Sequence, residues 1–414
     1  MKRERMRNNR GFTLIELLVV MAISMFVLVA ASKVMISMTT EFKQQTRISG
    51  KAIQSGFGLE FIRKDISSAG FGLPSGVFEG TANYSGLNWS MLSDEYTELK
   101  PSVMPGSLYD NDLAPPRMID ARYPVAPYTN GYALNGSSYL IIRSTAVGTD
   151  PVAGKFYVLK NISGVKFVNS VWSLGYEKGA DPYRDPDIND SDMVIVLTTQ
   201  DANNLGLVTD PQDVKAGSPS FDTSPGTIAN FRPRRDVVSM VYGISSRSTE
   251  LNAPFNRVDY YVGNTDVPEK CAPNTGVLYR AEMLHSATGA TLDTPVKIMD
   301  CVAKMRVEFA VDDNNDGVPE TTFDTLAAKT AGYIRKNLKR VDVYILTHEG
   351  QFDPAFEYLD NTGAIGNIAV GTMGQEFDAK NIVGDNLVNE VPYWKHFRWR
   401  VYKLSEMPVG RGSF

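Results

Sequence analysis

An apolar run near the start of this 414-residue chain constrains its fold more than any other feature. The run begins at Leu14 and lasts to about Ser32, and about 20 such residues are enough for a helix to cross a bilayer. The leader before the run has five cations against the single acid Glu4: Lys2, Arg3, Arg5, Arg7 and Arg10. Because cations beside a membrane span stay in the cytoplasm, the pattern predicts a cytoplasmic N-terminus and translocation of everything after the run.

Glu16 is an unusual residue in this apolar run. A charged side chain at the centre of a membrane helix costs about 2.5–3.5 kcal/mol on insertion scales, so an intramembrane acid indicates a function. No cation lies near Glu16 in the sequence. The carboxylate therefore needs a partner.

The segment Gly11-Phe12-Thr13-Leu14-Ile15-Glu16 resembles the cleavage and methylation signature of type IV prepilins and pseudopilins. The resemblance implies that a prepilin peptidase cuts after Gly11 and that Phe12 becomes the N-methylated terminus. It further implies that Glu16 of one subunit pairs with the Phe12 amine of a neighbour. Glu16 is then an assembly residue and not a catalytic one.

Other interpretations of the same run remain open. A secretory signal peptide cleaved near Val29-Ala30-Ala31 has an apolar region of about 7–15 residues, but here that region is longer and contains Glu16. A plain membrane anchor requires only that Glu16 lie close enough to the membrane–water interface to stay hydrated. A buried core helix fits least, because the run has membrane length.

The sequence predicts three parts: a cleaved leader at 1–11, a helix at 12–73 and a β-rich body at 74–414. Proline is absent from Phe12 to Leu73, so one continuous helix is allowed. We expect it to span the membrane to about residue 36 and to be amphipathic afterwards. Three glycines weaken the helix and mark a possible flexible turn: Gly50, Gly56 and Gly58.

Period-two patterns in the body predict antiparallel strands. In one of them, Met305–Val311, apolar residues alternate with Arg306 and Glu308, which predicts a half-buried strand. The candidate strands are Tyr139–Thr145, Phe156–Leu159, Val165–Val171, Met193–Thr198, Val237–Val241, Val258–Val262, Val277–Arg280, Met305–Val311, Val341–Leu346 and Phe397–Val401.

Long stretches rich in Pro, Gly, Asp and Ser separate these strands, and we interpret them as surface excursions without a core of their own: 74–135, 201–235 and 350–393. The expected fold is α+β and pilin-like. In it, a long N-terminal transmembrane and amphipathic helix packs on a large antiparallel β-rich domain.

The body is similar to PilW-type minor pilins and to J-type pseudopilins of type II secretion. The similarity lies in the helix exit and in three later segments: Phe61–Phe71, Tyr260–Val262, Gly276–Arg280 and Val302–Val311. It implies a non-catalytic minor pilin that helps to initiate, prime or cap a type IV pilus. The alternatives are a pseudopilin of a secretion-system tip complex and a pilus-displayed adhesin or DNA-binding subunit.

The resemblance also implies partners and a location. The partners are other minor and major pilins, the prepilin peptidase and the inner membrane. The expected location is the bacterial inner membrane, crossed once, with the C-terminal domain in the periplasm and at the cell surface after pilus assembly. Removing the leader, with its five cations and one anion, changes the formal charge from −5 to −9, which makes nucleic acid an unlikely ligand.

Cys271 and Cys301 are the only cysteines in the chain. In a translocated domain they are expected to form a disulfide, because oxidising compartments retain such bridges. Two unrelated thiols are the alternative.

An acidic loop is the best candidate site in the body. Oxygen-bearing side chains at Asp312, Asn314 and Asp316, followed by Gly317, match the first half of a calcium loop. An EF-hand needs a Glu at its twelfth position, where this chain has Phe323, so Glu320 or Asp324 would have to replace it. The alternative is a solvated polar turn.

Catalytic constellations are missing from the sequence, which predicts a protein without enzymatic activity. His285, His348 and His396 lack the spacing of a metal site, and no Gly-x-Ser-x-Gly elbow occurs. A basic aromatic strand near the C-terminus is expected to face the core with Phe397, Trp399 and Val401 and to face outward with His396, Arg398, Arg400 and Tyr402.

Overall fold

The computed structural model describes most of the N-terminal helix and the regular parts of the body. The described residues are 13–74, 76–78, 117–122, 133–161, 165–170, 192–201, 204–208, 239–247, 251, 253–285, 291–326, 328–359, 367–370, 375–384, 386–388 and 391–408. The chain divides into two compact units, Met1–Ile53 and Gln54–Phe414. The last turns of the helix and the β-rich body belong to the second unit.

Helix α1 comprises Leu14–Ser67 without a break. Its part Leu14–Lys43 is long and apolar enough to cross a membrane. The regular helix ends earlier than the predicted residue 73, in a tight turn where Gly70 and Gly72 have φ angles of 83° and 67°. Glycine tolerates this left-handed region without steric cost, so these two glycines allow the chain to turn after the helix.

Nineteen strands follow in the described part of the chain. In chain order they are β1 (Gly76–Phe78), β2 (Ile119–Arg122), β3 (Tyr139–Ser144), β4 (Phe156–Asn161), β5 (Val165–Ser170), β6 (Met193–Asp201), β7 (Asn204–Val208), β8 (Ser239–Ser245), β9 (Asn256–Gly263), β10 (Gly276–Leu284), β11 (Thr291–Leu292), β12 (Val296–Val311), β13 (Thr321–Phe323), β14 (Leu338–Glu349), β15 (Asn367–Val370), β16 (Gln375–Asp378), β17 (Leu387–Val388), β18 (Val391–Pro392) and β19 (Arg398–Glu406). Two short helices, α2 (Ala331–Asn337) and α3 (Ala379–Val383), lie between the later strands.

The strands form two main sheets. The larger sheet has the order β19-β14-β12-β10-β9-β3-β2, with β11 added to β10 and β13 added to β12, and its pairs are antiparallel. The smaller sheet has the order β1-β7-β6-β8-β4-β5, in which β1 and β7 pair in parallel. Two hairpins, β15-β16 and β17-β18, complete the set. An apolar N-terminal helix followed by a large antiparallel sheet domain confirms the expected α+β class.

All ten strands predicted from the sequence coincide with observed ones, although most observed strands are longer. The observed strands that were not predicted are mostly short, and several lie in segments predicted to be excursions. Strand β2 lies in segment 74–135, β7 lies in 201–235, and β15 to β18 lie in 350–393. Strands of two to five residues carry too few alternations for a period-two pattern to be recognised.

The main hydrophobic core contains the last turns of α1 together with residues of both sheets. Ile62 and Ile66 of α1 are fully buried and belong to this core with Val258 and Tyr260 of β9. Gly58 faces β12 at very close range, since a Cβ atom there would lie 2.6 Å from Cγ2 of Ile298. This glycine therefore allows the helix to approach the strand closely and does not mark a flexible turn, because α1 is continuous at this position.

The opposite face of the larger sheet is buried as well. It carries a cluster of stacked tyrosines, in which Tyr261 lies 5.7 Å from Tyr139 and 5.6 Å from Tyr279 between ring centroids. It also carries an aromatic cluster that includes Trp394, Phe397 and Trp399.

The prediction that Met305–Val311 is half-buried is therefore wrong. Arg306 and Glu308, expected to be exposed, are buried at 2% and 0% exposure. They pair with each other at 3.4 Å, and Asp324 lies 3.8 Å from Arg306. The alternating charges predicted a solvent-exposed face. The ion pair compensates the charges of Arg306 and Glu308, so both residues can be buried.

A buried polar cluster fixes the end of α1 on the larger sheet. The Asp65 carboxylate accepts hydrogen bonds from Nε of Arg280 at 2.8 Å and from the hydroxyl of Tyr260 at 2.6 Å. Burial raises the pKa of Tyr260 well above its usual range, and the charge of Asp65 raises it further, so the phenol remains a donor. Glu282 extends the cluster, 3.8 Å from Arg280, and its carboxylate accepts a hydrogen bond from the backbone N–H of Thr149 at 2.9 Å.

Replacement of Asp65 by alanine is predicted to lower the free energy of unfolding by about 3 kcal/mol, because removing one partner of a buried ion pair leaves the other charge uncompensated. Urea denaturation of the detergent-solubilised chain, followed by tryptophan fluorescence, measures the loss. The matched control is Glu60→Gln on the same helix, which removes a pair with Arg63 that is more than half exposed and should cost less than about 0.5 kcal/mol. Equal losses in the two variants would contradict the prediction.

Candidate functional site

Thr13 and Glu16 form a capping box at the start of α1. The carbonyl of Thr13 accepts the first helical hydrogen bond, from the N–H of Leu17 at 3.2 Å. The Glu16 carboxylate accepts hydrogen bonds from the Thr13 N–H and from the Thr13 hydroxyl, both at 2.9 Å. In return the Glu16 N–H donates to the Thr13 hydroxyl oxygen at 3.4 Å. This reciprocal arrangement satisfies donors that a helix N-terminus otherwise leaves free.

This contact was not predicted from the sequence, because the partner expected for Glu16 was a cation. The signal was present, since Thr-x-x-Glu before an apolar run is the pattern of a capping box. A carboxylate in the first turn also interacts favourably with the positive end of the helix dipole. Glu16 thus has local partners within its own subunit, but these partners are neutral, and no cation pairs with it among the residues that the structure describes.

The helix surface beside Glu16 is exposed and apolar. Leu14, Ile15 and Leu18 have 82%, 71% and 60% of their surfaces exposed. Gly11 and Phe12, the predicted cleavage and methylation residues, lie outside the described residues, so their roles stay predictions. The described part of the site is therefore a carboxylate at the N-terminus of an uncovered apolar helix.

The structure joins Cys271 and Cys301 in a disulfide with a Cα–Cα distance of 4.9 Å. His348 of β14 lies close to both sulfurs, and it accepts a hydrogen bond from the backbone N–H of Ala272 at 2.8 Å. Because the cysteines are bonded to each other, they are not available as thiolate ligands of a metal. The bridge instead anchors the 271–272 backbone to the sheet beside the aromatic cluster.

The acidic loop after β12 brings together the three carboxylates among its four predicted ligands. Carboxylate oxygens of Asp312, Asp316 and Glu320 lie within 4.8 Å of one another. The side chain of Asn314, the fourth, accepts a hydrogen bond from the Asp316 N–H at 2.8 Å. Glu320 also accepts one from the Asp313 N–H at 3.0 Å. The loop is therefore compact, and backbone donors already bond to several of its oxygens.

Lys339 of β14 supplies a cation to this loop that the sequence pattern did not indicate. Its ammonium lies 3.1 Å from the buried carboxylate of Asp312. Burial by itself raises the pKa of Asp312, but hydrogen bonds from Lys339 and from the N–H groups of Gly317 and Asn315 outweigh it and lower the pKa below its ordinary value. A cation bound at this loop would have to compete with Lys339 for Asp312.

The basic aromatic strand differs from its prediction at His396 and at Tyr402, which was expected to face outward but is partly buried against the main hydrophobic core. Phe397 and Trp399 are buried in the aromatic cluster, as expected. His396, expected to face outward, is 1% exposed, and its ring bonds to the carbonyls of Phe356 and Val388 at 2.9 and 3.2 Å. The prediction was wrong because His396 lies in a 3-10 turn before β19, so strand alternation does not apply to it.

Three cations of this strand pair with carboxylates of the same chain. Arg398 bonds to Asp353 at 2.8 Å, Arg400 lies 3.1 Å from Glu349, and Lys395 lies 3.0 Å from Glu357, a partner in segment 350–393. A strand whose charges are compensated in this way offers little attraction to a phosphate backbone.

Comparison with known proteins identifies the N-terminal region. A family model of the prokaryotic N-terminal methylation motif matches residues 6–32, while curated proteins and solved structures give no match. Pilin-type proteins with this motif are structural subunits, generally non-enzymatic, that associate with other pilins and with prepilin peptidase. The motif and the apolar helix indicate a single-pass membrane anchor. The chain therefore has the N-terminal signature of a type IV prepilin-like protein.

Proposed function

We propose that the chain is a minor pilin, a non-catalytic subunit that helps to initiate, prime or cap a type IV pilus after cleavage and N-methylation. The observation that carries the proposal is the methylation motif at residues 6–32. Within this motif, Glu16 lies in the first turn of an exposed apolar helix. Such a surface is stable in lipid or against another apolar helix.

Assembly follows from the chemistry of this helix start. Cleavage after Gly11 leaves an ammonium group on Phe12, four residues before the Glu16 carboxylate. In a staggered bundle, the carboxylate of one subunit pairs with the ammonium of its neighbour. Thr13 satisfies Glu16 by hydrogen bonds in the single subunit, which lowers the cost of holding a carboxylate near the membrane before assembly. Pairing with the charged amine adds the compensation that Thr13 cannot provide.

The body fits the proposed location. With the basic leader in the bacterial cytoplasm and one span in the inner membrane, the β-rich domain lies in the periplasm and reaches the cell surface in the assembled pilus. The disulfide between Cys271 and Cys301 agrees with an oxidising compartment.

A pseudopilin of a type II secretion system is the alternative, because its N-terminal helix carries the same motif. Deleting the gene in the native cell separates the two: loss of pili supports the minor pilin, and loss of protein secretion with normal pili supports the pseudopilin. A pilus-displayed adhesin stays a further alternative. The compensated charges of β19 weigh against a DNA-binding subunit.

Processing gives the first test of the proposal. Mature protein from the native cell is predicted to begin at N-methylated Phe12, because the peptidase cuts after Gly11. N-terminal mass spectrometry of the purified protein identifies both the first residue and its methyl group. A mature terminus at Met1 or Ser32 would remove the basis of the prepilin assignment.

The second test concerns Glu16. Glu16→Val is predicted to leave cleavage and membrane insertion intact but to reduce incorporation into fibres about tenfold, which corresponds to ~1.4 kcal/mol. Quantitative immunoblotting of sheared pili measures incorporation. Glu16→Gln is the matched control, since it retains an acceptor for Thr13 but removes the charge. Normal incorporation of the glutamine variant would show that capping suffices and that no intersubunit ion pair forms.

The acidic loop gives a third, independent test. We also propose that Asp312, Asn314, Asp316 and Glu320 bind calcium. A soluble fragment that begins at Gln54 should then melt at a higher temperature in calcium than in chelator, because an ion that binds only the native state stabilises it by about 2.7 kcal/mol at a hundredfold excess over Kd. Differential scanning calorimetry measures the shift.

Asp316→Ala should abolish this shift, while Asp266→Ala, which changes an exposed acid outside the loop, should leave it unchanged. Identical melting with and without calcium would mean that Lys339 compensates the loop and that calcium does not bind.

A further inference from the structure

Cys271, Cys301 and His348 form a compact group of metal-binding residue types beside the aromatic cluster. Both sulfurs and a ring nitrogen of His348 lie within 4.8 Å of one another. Cys301 and His348 are fully buried, whereas Cys271 is partly exposed. Cysteine thiolates and imidazole are typical zinc ligands in proteins. A disulfide offers no thiolate, so the chemistry of this group depends on the redox state of the two cysteines.

Two of the three residues are fixed on neighbouring strands of the larger sheet. Cys301 lies in β12 and His348 lies in β14, and each is next to a member of the cross-strand pair Val302–Thr347. The ring of His348 also packs against Phe397, with 4.7 Å between the ring centroids. The positions of Cys301 and His348 are therefore set by the sheet, and they persist when the disulfide is opened.

The backbone of Cys301 has a conformation that residues with a side chain rarely adopt. Its φ angle is 56°, which lies in the left-handed region. The carbonyl of Cys301 accepts a hydrogen bond from the hydroxyl of Thr347 at 2.9 Å, so β14 helps to hold this conformation. Strained residues that their surroundings fix in this way concentrate at ligand sites and switch regions.

Cys271 is the residue that has to move when an ion binds. The two sulfurs must separate to hold zinc between them, because each Zn–S bond is about 2.3 Å long. Cys271 lies in the connection between β9 and β10, outside both strands, so it can adjust more easily than Cys301. The same movement releases His348, whose Nε2 accepts a hydrogen bond from the N–H of Ala272. An acceptor Nε2 is unprotonated and has the lone pair that a metal needs.

We propose that Cys271, Cys301 and His348 bind a zinc ion once the disulfide is reduced. A dithiol reductant supplies two electrons and two protons, so that it becomes a disulfide itself and the two cysteines become thiols. Zinc then displaces both thiol protons. The two thiolates compensate its double charge, which leaves the buried site neutral. Water completes the tetrahedron on the partly exposed side of Cys271. The ion takes over the task of the bridge, because it joins the 271–272 backbone to the sheet.

Cobalt(II), a spectroscopic substitute for zinc, tests the site in the full detergent-solubilised chain. After reduction with a phosphine, which is oxidised to its oxide, we expect absorption bands of thiolate-to-cobalt charge transfer, and zinc should displace them. The oxidised chain should give no such bands. The acidic loop cannot produce them, because its ligands are oxygens. Absence of the bands from the reduced chain would overturn the proposal.

Two variants test the individual ligands under reducing conditions. Cys271→Ser removes one thiolate from a chain in which the bridge is already open, and His348→Gln removes the imidazole. Each should weaken zinc binding by more than about a hundredfold, because even the loss of a residue that only supports a metal ligand costs about 10–100-fold. The matched control is His396→Gln, which changes another buried histidine and should leave the affinity unchanged. Unchanged affinity in either ligand variant would refute the assignment.

Thermal unfolding gives a readout that does not depend on the His348 variant being folded. Zinc should raise the melting temperature of the reduced unmodified chain, since an ion that binds only the native state stabilises it. The increase should be smaller in Cys271→Ser, which retains the acidic loop and the other histidines. Equal increases in the two reduced chains would place the zinc elsewhere and contradict the proposal.

Discussion

The buried contact between Asp65 and Arg280 is the interaction on which the arrangement of the body depends. It joins the last turns of α1 to strand β10 at 2.8 Å, and Tyr260 of β9 donates to the same carboxylate. Ionic groups of this kind are costly to bury, so they are stable only when each has its partner in position. The cluster therefore fixes the rotation of α1 on the sheet, with Ile62 and Ile66 in the core and Phe57 and Phe61 outward.

A related requirement governs the other end of the helix. Glu16 also lies on an otherwise apolar surface, but in the described part of the chain its side-chain partners are the neutral donors of Thr13. Asp65 has a cation, and its site is complete within one chain. The site of Asp65 therefore holds the fold together, whereas the ion pair that we propose for Glu16 needs a second subunit.

The segments between the predicted strands contribute to the fold more than their composition indicates. Residues of 350–393 pack on the second face of the larger sheet, where Trp394 and Phe397 form the aromatic cluster. Carboxylates of neighbouring segments pair with the cations of β19. A strand that carries both aromatic residues and cations can thus be buried on one side and compensated on the other.

The sequence by itself determined the anchor, the single long helix, ten of the strands, the candidate disulfide pair and the motif around Glu16, because these features depend on local periodicity and spacing. The capping contact between Thr13 and Glu16 is equally local, because it depends only on the Thr-x-x-Glu spacing. Tertiary structure alone decided the partner of Asp65, which is 215 residues away, the burial of Arg306, Glu308 and His396, and the ion pair between Lys339 and Asp312. Alternation of residue types specifies which side chains share a face, but it does not specify what covers that face. Contacts between residues that are far apart in the sequence depend on how the whole domain packs, which no local pattern specifies.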